Sequence, residues 1–164
     1  MRHNDRHFIP VVVGEWNLMR PIVLIVISLL MLACAEQRAE QMRVEEPWIA
    51  EIPPMLSVTA GWMVLHNDGA EPRYLVGAFS PNAESIEIHQ SVVVNDMARM
   101  VFQPELEIPP LGSLAFNQET GYHLMMYKSR GMTAGAKIPV TLTFKDGAAL
   151  TVDFVVVDRR TLDQ

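Results

Sequence analysis

A chain of 164 residues with 49% apolar side chains can bury one sizeable core but hardly two, so a single folded domain is expected. Beyond the lone cysteine, Cys34, ten Lys and Arg face seventeen Asp and Glu, and this balance of −7 repels phosphate backbones and argues against a nucleic-acid partner. With no cysteine after Cys34, that part of the chain can form no internal disulfide and has no thiolate to act as nucleophile or metal ligand.

In chain order, residues 1–18 fit no export plan, and Met19 is the expected start, which would leave His3, His7 and Trp16 outside any functional argument. An apolar run from Pro21 leads to "LLMLAC"; it has the length of a signal-peptide hydrophobic region and is too short to span a bilayer comfortably. Arg20 before it and small Ala33 after it resemble a bacterial lipoprotein signal with Cys34 as the lipidated first residue, although Met31 stands where leucine is usual and Leu32 is bulky for its place. An ordinary signal peptide cut near Ala33 or Ala35 and an uncleaved anchor remain open. Each reading exports the domain to the periplasmic or cell-envelope side, and a lipid on Cys34 would hold it at a membrane surface without a crossing helix. The expected organisation is an export segment over 1–34, a charged tether over 35–43, a folded domain over 44–158 and a short tail over 159–164.

From Val44 onward the sequence reads as short strands punctuated by Pro, Gly, Asn and Asp, without an amphipathic helix or an internal repeat. Strands are expected in "PWIAEI", "VTAGWMVLHN", "RYLVGAF", "ESIEIHQSVVV", "MARMVFQ", "SLAFN" and "YHLMMY". A last hairpin turns at Lys145-Asp146-Gly147, where Val140, Leu142, Phe144, Leu150, Val152, Phe154 and Val156 share one parity. So many strands in so short a domain predict an all-β fold, a two-sheet antiparallel sandwich.

Enzyme signatures are missing: the sequence holds no Gly-rich phosphate loop, no HExxH and no G-x-S-x-G, so no enzyme is expected. The paired carboxylates Glu45-Glu46 and Glu105/Glu107 read as a solvated face. Beyond Cys34 stand only three histidines, His66, His89 and His123, against eight methionines. For any one methionine, packing is the default explanation.

Two segments reverse that default. If Asn95-Asp96 makes a two-residue turn, Val94 faces Met97, Ser91 faces Met100 and His89 faces Phe102, which puts His89 and Met100 on one face as diagonal neighbours about 7–8 Å apart. In "GYHLMMY", Tyr122, Leu124 and Met126 form the core parity and leave His123 and Met125 together on the other side. Two imidazoles and two thioethers make a soft donor set that suits Cu(I) rather than Mg²⁺, Ca²⁺, Mn²⁺ or Zn²⁺, and a blue-copper centre would need a thiolate. His66 is expected to make a turn-flanking hydrogen bond and Met63 to lie in the core, while Met97 and Met126 face away from the four candidates.

His89 and Met100 with ten residues between them, followed by His123-Leu124-Met125, resemble the ligand pattern of the PCuAC family of exported bacterial copper(I) chaperones. The surrounding words "AGWMVLHNDGAEP", "LVGAFSPNAESIEIH", "LEIPPLGS" and "GYHLMM" resemble that family in the same order. The resemblance implies a cupredoxin-like Greek-key β-sandwich that binds one Cu(I) through His89, Met100, His123 and Met125. It also implies delivery to the copper sites of cytochrome c oxidase, directly or with thiol-type assembly proteins. An optional methionine after the first histidine is Gln90 here, and the sequence after Asp158 lacks the His/Met-rich tail of some relatives, which argues against a second copper site. The alternative from another class is a β-sandwich lipoprotein that binds a protein partner without a metal.

Overall fold

The structure, a computed structural model, describes residues 41–53, 55–158 and 160; the export segment with Cys34, residues 35–40 of the expected tether and most of the tail lie outside the described residues. Within them are ten strands: β1 (Met42–Ala50), β2 (Thr59–Asn67), β3 (Arg73–Phe79), β4 (Ser85–Val94), β5 (Met97–Phe102), β6 (Leu106–Ile108), β7 (Gly112–Phe116), β8 (Tyr122–Tyr127), β9 (Lys137–Phe144) and β10 (Ala149–Val157). There is no α-helix among the described residues.

Strand β1 begins two residues before the expected Val44. Buried Met42 pairs with Asn67, and the carbonyl of Gln41 accepts a hydrogen bond from Asp68 N–H at 2.8 Å, so residues 42 and 43 belong to the sheet and not to a tether. Strand β6 is the one element that the sequence reading omits. Three residues between prolines are too few for alternation to register, yet Leu106 and Ile108 are buried and the strand pairs with β3.

The strands hydrogen-bond in the order β5-β4-β8-β2-β1-β10-β9-β3-β6, and β7 lies beside the second half of β2. Ala78 of β3 also pairs with Ile86 of β4, so the path returns on itself around one core. The result is the expected cupredoxin-like β-sandwich. One pairing departs from the antiparallel rule: β1 and β10 run parallel, which is permitted because the whole domain lies between them as a crossover. The parity read from the last hairpin holds, with Leu142 opposite Leu150 and Val140 opposite Val152, and Ile138, Val140, Leu142, Phe144, Phe154 and Val156 are buried.

Three local devices set up the face that carries the candidate ligands. Asn95 and Asp96 both take positive φ, 51° and 60°, the twist of a two-residue I′ turn, and β4 and β5 pair in the predicted register. A bulge lies between Glu45 and Trp48, where Glu46 has φ 49° and Pro47 has no N–H to donate. Past the bulge Trp48 pairs with Trp62, and the two indoles stack at 4.2 Å.

The third device is Gly121, at φ +76°, whose carbonyl accepts Ser91 N–H at 2.9 Å. A Cβ at this position would sit 2.3 Å from the Ser91 carbonyl oxygen. Gly121→Ala should therefore lower unfolding stability in urea by about 2 kcal/mol or more, from left-handed strain and overpacking together. Gly135, at φ +85°, has nothing within 4 Å of its would-be Cβ. Gly135→Ala should cost only the left-handed strain, about 1–2 kcal/mol. Equal losses in the two variants would contradict the close contact.

Candidate metal centre

Strand β4 lies between β5 and β8, and this order brings the two halves of the sequence pattern together. His89 stands opposite Phe102 on β5 and opposite His123 on β8, while Met100 stands opposite Ser91 and Met125 opposite Glu87. By strand parity, Glu87, His89 and Ser91 share a face with Met100, Phe102, His123 and Met125, and Ala60, opposite Met125 on β2, extends that face toward Trp62. The other face of the same strands is core: Ile88, Leu124 and Met126 are buried. The division of "YHLMMY" into packing and candidate positions is thus as the alternation predicted.

On a flat sheet Met100 and Met125, two strands and four residues apart, would be separated by roughly 16 Å. Met100, His123 and Met125 nevertheless line one open depression of about 440 Å³ together with Ala60, Trp62 and Ser91. His89 does not line it directly; its ring packs edge-on to Phe102 at 6.2 Å and to His123 at 6.0 Å between centroids. A nitrogen–metal bond of about 2.0–2.1 Å puts an imidazole centroid roughly 3.2 Å from the ion, so a centroid separation of 6.0 Å is of the size that two imidazoles on one ion would have.

The four side chains are held unequally. His123 is 6% exposed, and its Nδ1–H donates to the Gly121 carbonyl at 3.0 Å. His89 is also largely covered: its Nε2 lies 2.9 Å from Glu87 Oε2, and its buried Nδ1 has no hydrogen-bond partner among the described residues. Met125 is half-buried, whereas Met100 is 59% exposed on β5, an edge strand whose six residues are all exposed. Tyr127, on the same face at the far side of Glu87, has its hydroxyl pKa pushed up, first by burial and then by the charge of Glu87 and its hydrogen bond to that carboxylate.

Sequence reasoning missed three contributors. Glu87 was legible as a carboxylate two residues before His89 on the same strand face, Trp62 as a residue in phase with Ala60, and Gly121 as the glycine two before His123. The expectation for His66 is corrected: its Nε2 lies 2.7 Å from Glu45 Oε2 on the neighbouring strand, and the turn is held instead by Asn67, whose Oδ1 accepts Gly69 N–H and whose Nδ2 donates to the Glu71 and Ile108 carbonyls. Met63 is buried as expected. Gln90 belongs to the other face of β4, where its Nε2 donates to the Thr120 carbonyl at 3.1 Å, so a sulfur at position 90 would not have pointed at this centre. Among the described residues no three His, Cys, Asp or Glu side chains converge as a metal site, so any ion held here would depend on thioether sulfur.

Comparison with known proteins bears on the family and the fold. The LpqE-like family, described as "Putative lipoprotein LpqE-like", matches residues 42–156. A protein of Leifsonia xyli subsp. xyli, "Putative lipoprotein Lxx21020", is 29% identical over 123 residues, which cover 74% of this chain and 73% of that protein. Among solved structures, the copper-bound PCuAC domain from PmoF2 superposes with a TM-score of 0.59 at 19% identity, covering 72% of this chain and 93% of that one, a likeness of fold. The solution structure of Cu(I)-loaded DR1885 from Deinococcus radiodurans is 32% identical, with a TM-score of 0.54, covering 71% of this chain and 76% of that one. The chain therefore belongs to the LpqE-like family and carries the fold of the PCuAC domains.

Proposed function

We propose that this protein is an exported Cu(I) metallochaperone, with His89 and His123 supplying imidazole nitrogen and Met100 and Met125 supplying thioether sulfur to a single ion. The observation that carries this reading is the meeting of Met100, His123 and Met125 at one depression with His89 opposite His123 on the neighbouring strand. The 32% identity to a protein solved with Cu(I) supports the choice of metal. Copper is the cargo, and the donor set suits its carriage. Neutral soft ligands favour Cu(I), and the absence of thiolate keeps the ion transferable and indifferent to thiol oxidation. Protonation of the histidines in acid competes with the metal and weakens binding.

The finer reading is that the protein passes Cu(I) to the copper sites of cytochrome c oxidase, directly or together with thiol-type assembly proteins. Met100 stands on the exposed edge of the site, where an incoming donor from an acceptor can displace its sulfur before the more covered histidines let go. Lipid attachment at Cys34 would hold the domain at a membrane surface, and the lipoprotein description of the family supports that placement. Among the described residues no helix is long and apolar enough to cross a membrane.

Titration of the purified exported protein with Cu(I) under reducing conditions, against a chromophoric competitor, tests the reading. One equivalent should bind; no stoichiometric uptake would end the proposal. Met100→Leu and Met125→Leu remove sulfur while nearly conserving volume, and each should weaken Cu(I) binding at least about tenfold, roughly 1.4 kcal/mol. Met126→Leu, one position away but buried on the core face, should leave the affinity unchanged. Unfolding midpoints should separate the same variants in the opposite sense. Met100→Leu, at an exposed position, should leave the unfolding free energy of the copper-free protein within about 0.5 kcal/mol of the original.

A further inference from the structure

Among the described residues Glu87 is the one carboxylate in hydrogen-bond contact with a candidate ligand, and nothing in the ligand pattern accounts for it. Its Oε2 lies 2.9 Å from Nε2 of His89, and its side chain is about half exposed while that of His89 is mostly covered. An ionised carboxylate only accepts hydrogen bonds, so the proton of a neutral His89 sits on Nε2. The lone pair then resides on Nδ1, which is the atom that is buried and has no hydrogen-bond partner among the described residues. His123 has the reverse arrangement. A carbonyl also only accepts, so the 3.0 Å contact to Gly121 puts the proton on Nδ1 and leaves the lone pair on Nε2.

We infer that Glu87 is a positioning residue that fixes His89 in the Nε2–H tautomer, so that the centre binds its ion through Nδ1 of His89 and Nε2 of His123. The inference rests on the metallochaperone reading and specifies which atoms act and what holds them. A buried imidazole nitrogen without a partner costs free energy unless something accepts its lone pair, and a soft cation is such an acceptor. The Glu87 contact does two things for that cation. It holds the ring against rotation, and by pulling on the Nε2 proton it raises the donor strength of Nδ1, as carboxylate–histidine pairs do at metal sites generally. The Gly121 carbonyl does the same for His123 from the backbone, where no side-chain substitution removes it. The two histidines would thus ligate through different ring nitrogens, one oriented by a side chain and the other by the main chain.

Because Cu(I) is diamagnetic, long-range ¹H–¹⁵N spectra of the ¹⁵N-labelled protein read the tautomers before loading and the ligating nitrogens after it. In the copper-free protein at neutral to mildly alkaline pH, His89 should show the Nε2–H pattern and His123 the Nδ1–H pattern. On adding one equivalent of Cu(I), Nδ1 of His89 and Nε2 of His123 should move, with their protonated partners in place. Glu87→Ala should abolish the tautomer preference of His89 alone and weaken Cu(I) binding about 10–100-fold. Glu87→Gln, which keeps an acceptor oxygen without the charge, should retain the Nε2–H form with a smaller loss. An Nδ1–H pattern for His89, a metal-induced shift at its Nε2, or unchanged affinity in Glu87→Ala alongside one-equivalent binding by the original protein would each overturn the inference. No Cu(I) uptake by the original protein would instead overturn the metallochaperone reading itself. The tautomer of His89 in the copper-free protein would then still decide whether Glu87 orients it.

Discussion

The register of β4 between its two neighbours is the constraint on which the candidate centre depends. Side chains along a strand alternate with a period of two, so a slip of one residue would carry His89 into the core and Ile88 out of it. Ile88, Leu124 and Met126 are buried on the inner face, and each loses about 1.5–3 kcal/mol if returned to water. A slip of β4 or β8 would thus cost more than any single hydrogen bond of the ladder could recover. The Asn95-Asp96 turn fixes β5 against β4 by local geometry, and the closeness of Gly121 to Ser91 fixes the start of β8 from the other side. Hydrophobic burial on one face therefore positions the polar and sulfur-bearing side chains on the other.

The proposed centre would combine rigid and mobile donors. Both imidazoles are packed among strands and hydrogen-bonded through one nitrogen, whereas Met100 stands on an exposed edge strand. Ordering a methionine side chain costs up to about 1.5–2 kcal/mol, which an ion must offset on binding and which is regained on release. On the proposed metallochaperone reading, such a mixture suits transfer, because tight binding by four preorganised ligands would oppose it. Phe102 and Met100, both exposed beside the depression, give the rim an apolar character.

Much of this was legible in the sequence because strands encode their facing in a two-residue period. The His89–Met100 relation followed from one turn of known geometry, and the His123–Met125 relation from parity alone. The meeting of the two halves was a different matter. Pairing of β4 with β8 joins segments some thirty residues apart in sequence, and nothing in either segment specifies the other as its neighbour; there the family pattern supplied what local physics could not. The short strand β6 and the early start of β1 escaped for a simpler reason: three residues cannot display a period, and Met42 is a single apolar residue at the end of a charged stretch. The parallel contact of β1 with β10 joins the two ends of the domain, the least local relation in the fold. Glu87 was visible as a charge but not as a partner, since its role depends on where the His89 ring turns.

X-ray absorption at the copper edge of the Cu(I)-loaded protein tests the central claim most directly, because it counts the donor types around the metal without disturbing the fold. The account predicts a Cu(I) edge with a mixed shell of imidazole nitrogen and thioether sulfur, the sulfur contribution falling in Met100→Leu and again when Met125 is also replaced. A shell of nitrogen and oxygen alone, unchanged by loss of either methionine, would contradict it.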